Sequence, residues 1–312
     1  MSSTTKPFRF GVTQSRATSG QDWRDSARRI ESLGYSTLTI ADHFPERLGI
    51  VPALMAAADA TDTLRVASWV FCNDFRHPVV LYKDSATVDM LSDGRLELGI
   101  GAGWLKDEYD MAGIPFDPPG VRVSRMFEAV RILKGLAGDG PFDFQGEHYT
   151  ISGLEGAPKP AQKPFPPFAI GGGGKRVLSF AAREADIVSI VAKALPQGGL
   201  DGQNLTLDAT KQKLEWVREA AGDRDPELNV LVYTFEVTDD REGVARRYSE
   251  SLELSPEEVL ASPHVLIGTV EQMAEDLRRR RDELGISYIV INTNDREHTG
   301  QFAPVIAELA GT

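Results

Sequence analysis

The chain has 312 residues, 41% of them hydrophobic and 26% charged, which suits one large α/β domain or two ordinary ones and excludes a disordered chain. Its 34 basic against 46 acidic residues leave a net charge of −12, which opposes non-specific binding to nucleic acid or to an acidic membrane. The longest apolar runs, such as 50–58, fall far short of the ~20 residues that span a bilayer.

The opening MSSTTKPFRF lacks the apolar core of a signal peptide, so 1–7 is expected to be a flexible tail. A single cysteine, Cys72, cannot form an internal disulfide, and a cytoplasmic protein with a small-molecule ligand is the expectation. Residues 8–13 (FRFGVT) form the first predicted strand. A helix is predicted over 21–34, with Trp23, Ala27, Ile30 and Leu33 on one stripe and Gly34 at its C-cap. The alternation continues with strand 36–41 and helix 51–61, strand 64–70 and a helix opening at the proline of 77–91, then strand 95–101 and helix 121–136.

The beat then breaks. A hairpin over 141–151 turning near Gln145 and Gly146, followed by the proline-rich 156–167, marks an insertion at 138–167. Strand 168–172, helix 174–185 and strand 186–190 resume the pattern, followed by a glycine-rich loop and helix 207–221. Strand 228–237 precedes a helix near 241–252, a connector and a long helix over 269–284. Strand 288–292 and a closing helix, 301–310, complete eight strand-helix units in one domain, 1–312. The count favours a (β/α)8 TIM barrel over a doubly wound sheet, which shares the alternation.

In a barrel, the C-terminal ends of the strands form the face that carries active sites. The second strand runs through the apolar LTIA and stops at Asp42, His43 and Phe44, so a carboxylate and an imidazole enter the mouth together. Other strands end in Thr13-Gln14, in Phe71-Cys72-Asn73-Asp74, in Gly101-Ala102-Gly103-Trp104, in the four glycines at 171–174, and in Asn292-Thr293-Asn294. Plainer readings stand beside these: a hydrogen-bonded structural histidine, an aspartate capping the next helix, a tight turn at GAGW. The glycine run is the sharper signal, because a glycine-rich turn opening a helix leaves N–H groups to hold a phosphate, with Lys175 and Arg176 adding charge. It matches neither GxGxxG nor a Walker A loop. No metal-ligand spacing is present, and RRRRDE (278–283) is expected on a solvated outer face. Cys72 is expected to be a small packing residue, and His77 and His148 surface or capping residues.

Four stretches, TIADHF (39–44), FRHPVVLYKDSATVDMLSDGRLELGIGAGW (75–104), GIPFDPPGVR (113–122) and FAIGGGGKRVLSFAAREAD (168–186), together resemble the bacterial luciferase-like superfamily. Within it, they are most similar to the actinobacterial oxidoreductases that use the deazaflavin coenzyme F420. The resemblance runs from about Phe8 to Asn292. It implies that His43 lies beside the reactive carbon of the deazaflavin and that Asp42 touches the cofactor. It also implies a bulge after the third strand, with a non-prolyl cis bond at Trp69-Val70, pressing on the back of the ring. The backbone at Ala102 and Gly103 would contact the ring, and Gly171, Gly172, Gly173, Gly174 and Lys175 would hold the cofactor phosphate. A deazaflavin carries hydride and reacts poorly with oxygen, so hydride transfer with His43 as proton relay is the implied chemistry. Imidazoles ordinarily titrate near ~6.5, close to neutral pH.

The chain departs from the superfamily's sugar-phosphate dehydrogenases. They carry a glutamate directly after the fourth-strand Gly-x-Gly, where this chain has Trp104, and a phosphate-binding lysine at the position of Ala194, with Lys193 one place off. Trp104, Phe44, Phe71 and Trp69 suggest an apolar, aromatic mouth for a planar substrate; packing is the other reading of Trp104. Arg76 has two openings, the cofactor's acidic tail or Asp74, and Lys193 is either functional or a solvated loop residue. An FMN-dependent monooxygenase and a non-catalytic flavin-binding barrel are the competing functions. Relatives of this kind are commonly dimers, and the apolar second helix offers either a homodimer face or core packing.

Overall fold

The computed structural model describes residues 6–193, 195 and 201–312; most of the expected tail, Ala194 and much of the glycine-rich loop after 190 lie outside the described residues. Eight parallel strands form the centre: β1 (Arg9–Thr13), β2 (Thr37–Ile40), β3 (Arg65–Ser68), β4 (Leu96–Gly101), β5 (Phe168–Gly172), β6 (Ile187–Ile190), β7 (Glu227–Val232) and β8 (Ile286–Asn292). Each pairs with its neighbours in chain order, β3 with β4 and β8 with β1, so the sheet closes on itself. Closure excludes the doubly wound alternative and leaves the barrel no edge.

Strand alternation sorts the side chains. Phe10, Val12, Leu38 and Ile40 point outward and join the core under the helices, each burial contributing about 1.5–3 kcal/mol. Trp23 on the helix Gly20–Ser32 packs into the same layer, its indole N–H donating to the Ala53 carbonyl at 2.8 Å. Inward positions carry a different set. At the N-terminal end, Glu97 on β4 accepts from Arg9 at 2.6 Å and from Arg65 at 2.7 Å, and Arg9 also pairs with Glu227. The Arg9 guanidinium lies 3.6 Å from the centre of the Tyr288 ring. This ionic layer floors the barrel. Above it the inward residues of β3, β4 and β5 shrink to Ala67, Gly99, Gly101, Ala169 and Gly171, leaving room towards the C-terminal mouth.

Several segments differ from the sequence expectation. The predicted 228–237 strand divides at Tyr233: Glu227–Val232 stays in the barrel, while Thr234–Val237 leaves it to pair with Val265–Gly268. The connector before the long helix therefore contains a strand, and also a short helix, Pro256–Ala261, started by a capping box between Ser255 and Glu258. The hairpin spans Pro141–Gln145 and Thr150–Glu155; its turn is held because Glu128 accepts from the N–H groups of Glu147, His148 and Tyr149. The basic run is not wholly a solvated face. Arg280 is buried and donates to the carbonyls of Pro263 and Val265, tying the long helix Val270–Leu284 to the added strand.

Burial alone would raise the Glu97 pKa, but the Arg9 and Arg65 charges overcome it and hold the group below its usual value. That contribution is present above the ordinary glutamate pKa and lost as the pH falls through the lower folded value. Glu97→Gln should therefore cost about 3–5 kcal/mol at pH 7, by leaving Arg65 without its carboxylate and Arg9 with Glu227 alone. The gap from the parent protein should narrow below about pH 4.3. Urea denaturation of both proteins at pH 7, 5 and 3.5 checks this; a gap that stays constant or widens in acid refutes it.

Candidate functional site

Strand β2 delivers Asp42 and His43 to the mouth, and their side chains part ways. The Asp42 carboxylate turns towards the segment after β3, where Oδ2 accepts from the Cys72 N–H at 3.0 Å and from Arg76 Nη1 at 2.5 Å, and Oδ1 from Arg76 Nη2 at 3.1 Å. Arg76 does not pair with Asp74; it clamps Asp42 in a two-pronged pair. Asp74 is held instead by Arg125 at 2.9 Å and by the Tyr109 hydroxyl at 3.2 Å. With both Asp42 oxygens on protein donors, its visible work is to fasten the end of β2 to the segment following β3.

That segment contains the bulge. The Trp69-Val70 peptide is cis. Trp69 turns into the barrel against Tyr288, with ring centres 5.5 Å apart, and Val70 is left half-buried towards the mouth. The two inward glycines of LELGIG make space for it. A Cβ on Gly99 would lie 2.1 Å from the Ser68 carbonyl oxygen and 2.9 Å from Val70, and one on Gly101 would lie 2.7 Å from Val70. Phe71 is buried in the outer core with Arg76 stacked over its ring. Of the four aromatics expected to line the mouth, Phe71 and Trp69 are therefore interior. Phe44, 49% exposed, and Trp104, 38% exposed, are at the surface.

His43 meets a residue that the sequence did not single out. Its Nδ1 lies 2.9 Å and 2.8 Å from the two carboxylate oxygens of Glu108, which is buried. Glu108 sits on a short helix of about two turns, Lys106–Ala112, stopped by Gly113 in the left-handed conformation at φ 68°. The sequence signal was present in Asp107-Glu108 in the first turn and the glycine after the last, without a side-chain cap to announce the start. A carboxylate only accepts, so the contact places the imidazole proton on Nδ1 and leaves Nε2 as the lone-pair nitrogen. The Trp104 ring stands edge-on to the imidazole, 6.0 Å between centres. The position after Gly-x-Gly holds no acid, but the same segment supplies one four residues later.

The turn itself is braced from below. Gly103 adopts φ 76°, and a Cβ there would collide with the Tyr109 hydroxyl and approach the Cys72 sulfur. Buried Arg122 donates to the carbonyls of both Ala102 and Gly103. Cys72 is buried with its sulfur 3.2 Å from the Tyr109 oxygen, and burial pushes the thiol up to about 11. It is a protonated packing group at neutral pH, as expected for it.

At the end of β5, a Cβ on Gly172 would strike Val177 and one on Gly173 would strike the Lys193 backbone, while nothing lies within 4 Å of the corresponding point on Gly174. The helix that follows, Lys175–Glu184, has no side-chain N-cap. Its first N–H groups are therefore left for water or a ligand. Lys175 reaches away to Glu219 at 3.5 Å, and Arg176 is committed to the Gly120 carbonyl and the Ser124 hydroxyl. The side chain of Lys193 is exposed. His77 caps the helix Pro78–Leu91 through the Val79 N–H. No cluster of metal-binding side chains occurs among the described residues, and no helix among them is long and apolar enough to cross a membrane.

The chain is 32% identical over 146 residues to an FMNH(2)-dependent dimethylsulfone monooxygenase of Pseudomonas putida, covering 47% of this chain and 39% of that protein. It is 31% identical over 172 residues to an F420-dependent glucose-6-phosphate dehydrogenase of Intrasporangium calvum, covering 52% and 51%. The matched segments thus span about two fifths to one half of these curated relatives. In fold, it superposes on a long-chain alkane monooxygenase with a TM-score of 0.77 at 14% identity, covering 98% of this chain and 91% of that one. The family model described as luciferase-like monooxygenase matches residues 2–261. The chain belongs to the luciferase-like monooxygenase family.

Proposed function

We propose that this protein is an F420-dependent oxidoreductase that moves hydride between the deazaflavin and a small substrate with a planar, apolar reacting part. The observation that carries the reading is the His43–Glu108 dyad, set at the barrel mouth beside the Val70 bulge. The residues fit a flat tricyclic ring and its phosphate. Val70 would support the ring face, and the braced backbone at Ala102 and Gly103 would border it. The uncapped helix start after 171–174, open at Gly174, would take the phosphate. Lys175 would contribute only charge at a distance. When bound, the deazaflavin supplies hydride transfer.

The chain's own residues supply the rest. Glu108 fixes the His43 ring and its proton, so Nε2 faces the reacting substrate as base, or as acid once protonated. Phe44 and Trp104 would cover the substrate and exclude water. Asp42 acts at one remove, by holding the bulge. The choice of F420 rests on the four sequence motifs and on the likeness to F420-dependent dehydrogenases. The likeness to an FMNH(2)-dependent monooxygenase supports the flavin alternative, in which oxygen is the second substrate.

Fluorescence titration of the purified protein with F420 and with FMN separates the two. Tight F420 binding with FMN ignored is the expected outcome, and binding of FMN alone overturns the deazaflavin reading. His43→Ala should lower turnover by ~10²–10⁴-fold while changing cofactor affinity little; unchanged turnover removes His43 from the chemistry. Nitrogen-15 NMR of the histidine side chains should find the neutral His43 tautomer protonated at Nδ1. Glu108→Ala should abolish that preference without unfolding the chain. A tautomer indifferent to Glu108 would show that the carboxylate does not position the ring.

A further inference from the structure

Four residues after His43, the loop leaving β2 places Arg47 on the wall of a cleft of about 750 Å³. The cleft opens at the C-terminal face between the ends of β8, β1 and β2, and its charged lining comprises Arg16, Arg47, Arg296, Asp22, Glu46 and Asp295. Most of these charges are spoken for. Arg16 pairs with Glu46 at 2.7 Å, and Arg296 with Asp22 at 2.6 Å. Asp22 also accepts from the Thr18 N–H, and Asp295 accepts from the N–H groups of Glu297 and His298. Arg47 alone among these cations has no hydrogen-bonded or ion-paired acceptor among the described residues. It is half-buried, crowded by the Arg16 charge and within the field of Glu108, the partner of His43.

A second donor faces the same space. Asn294 accepts from the Ser15 N–H through its side-chain oxygen at 2.8 Å, so its –NH₂ is the end left for a ligand. The loop carrying Arg47 is fixed, since the Leu48 N–H donates to the Ser15 carbonyl at 2.8 Å. A guanidinium held without a partner in a polar cleft, beside an amide donor, is built to receive an anion. Its parallel N–H pair matches a carboxylate. A phosphate dianion would call for a second uncommitted cation, and Arg16 and Arg296 are already paired.

We propose that the Arg47 cleft is the carboxylate subsite of the substrate. The substrate is then a carboxylic acid whose planar reacting part lies at His43, Phe44 and Trp104 and whose acid group reaches back to Arg47. This deepens the proposed function and rests on its placement of the cofactor. In an eight-stranded ring, β5 stands across from β1, so a phosphate at 171–174 lies on the far side of the mouth from this cleft. The anion at Arg47 is therefore the substrate's and not the cofactor's tail.

Saturation-transfer NMR on the whole protein without cofactor tests this, using benzoate, its neutral analogue benzyl alcohol, and inorganic phosphate. Benzoate should bind at least 10-fold more tightly than benzyl alcohol. Arg47→Met should weaken benzoate at least 10-fold and leave benzyl alcohol unchanged, and Arg47→Lys should fall between. Equal binding of benzoate and benzyl alcohol, no benzoate binding, or no effect of Arg47→Met overturns the proposal. Phosphate bound more tightly than benzoate overturns the carboxylate assignment. F420 and FMN titrations of Arg47→Met supply the other arm: weakened cofactor binding would assign Arg47 to the cofactor and overturn the subsite. If the parent protein binds neither cofactor, the proposed function fails, while the comparison of benzoate with benzyl alcohol still decides what Arg47 holds.

Discussion

The clamp between Asp42 and Arg76 is the contact on which the mouth depends. It joins the segment just after β2 to the segment after β3, and the same carboxylate takes the Cys72 N–H. Because His43 follows Asp42 directly, fixing one limits where the other can reach, and the imidazole falls against Glu108. Because Cys72 follows the bulge, the same contact limits where Val70 can sit. The pair is largely shielded from water, with side-chain exposures of 10% and 20%. Removing either partner would therefore leave a poorly solvated charge, a larger loss than a surface ion pair represents.

The brace is continued by neutral and ionic contacts beneath the β4 turn. Tyr109 touches Cys72 and Asp74, Asp74 holds Arg125, and Arg125 reaches Asp117 near the start of the helix Pro119–Ala137. Arg122 from that helix returns to the carbonyls at 102 and 103. The helix bearing Glu108 also bears Tyr109, so one short element sets both the imidazole's partner and the floor beneath the turn. Fixed dipoles of this kind keep their aim without reorganising when a ligand arrives.

How much of this was legible in the sequence follows from how each feature is encoded. The barrel strands were, because each is a run of outward apolar side chains at strand length between turn residues. Asp42, His43 and the glycine run were, because a polar or glycine-rich end to a buried strand is unusual wherever it occurs. Glu108 was not, since its helix starts at Leu105 without a side-chain cap and its partner lies 65 residues away. The second half of the predicted 228–237 strand is apolar enough for the barrel, and only its pairing with Val265–Gly268 takes it out. Arg280 could not be separated from its three basic neighbours by composition; its burial depends on two carbonyls that the added strand brings within reach. Arg47 is the extreme case. Its distinction is the lack of a partner among described residues, and that exists only once the other charges have been paired in space.

The glycines of the mouth serve space more than flexibility. Gly99 and Gly101 lie in an ordinary strand conformation, yet a methyl group on either would enter Val70 or the backbone beside it. Gly172 and Gly173 are likewise excluded from carrying a Cβ by Val177 and by the Lys193 backbone. The barrel floor fills its interior with the ionic layer around Glu97, and the mouth empties it by omitting side chains on β4 and β5. The two halves are complementary requirements of one fold. A rigid, charged base keeps the strands in register while the upper layer gives up packing to hold a ligand. A substitution at Gly99 would therefore act on the site through Val70 while leaving the ionic floor in place, which separates the residues that close the barrel from those that shape what it can bind.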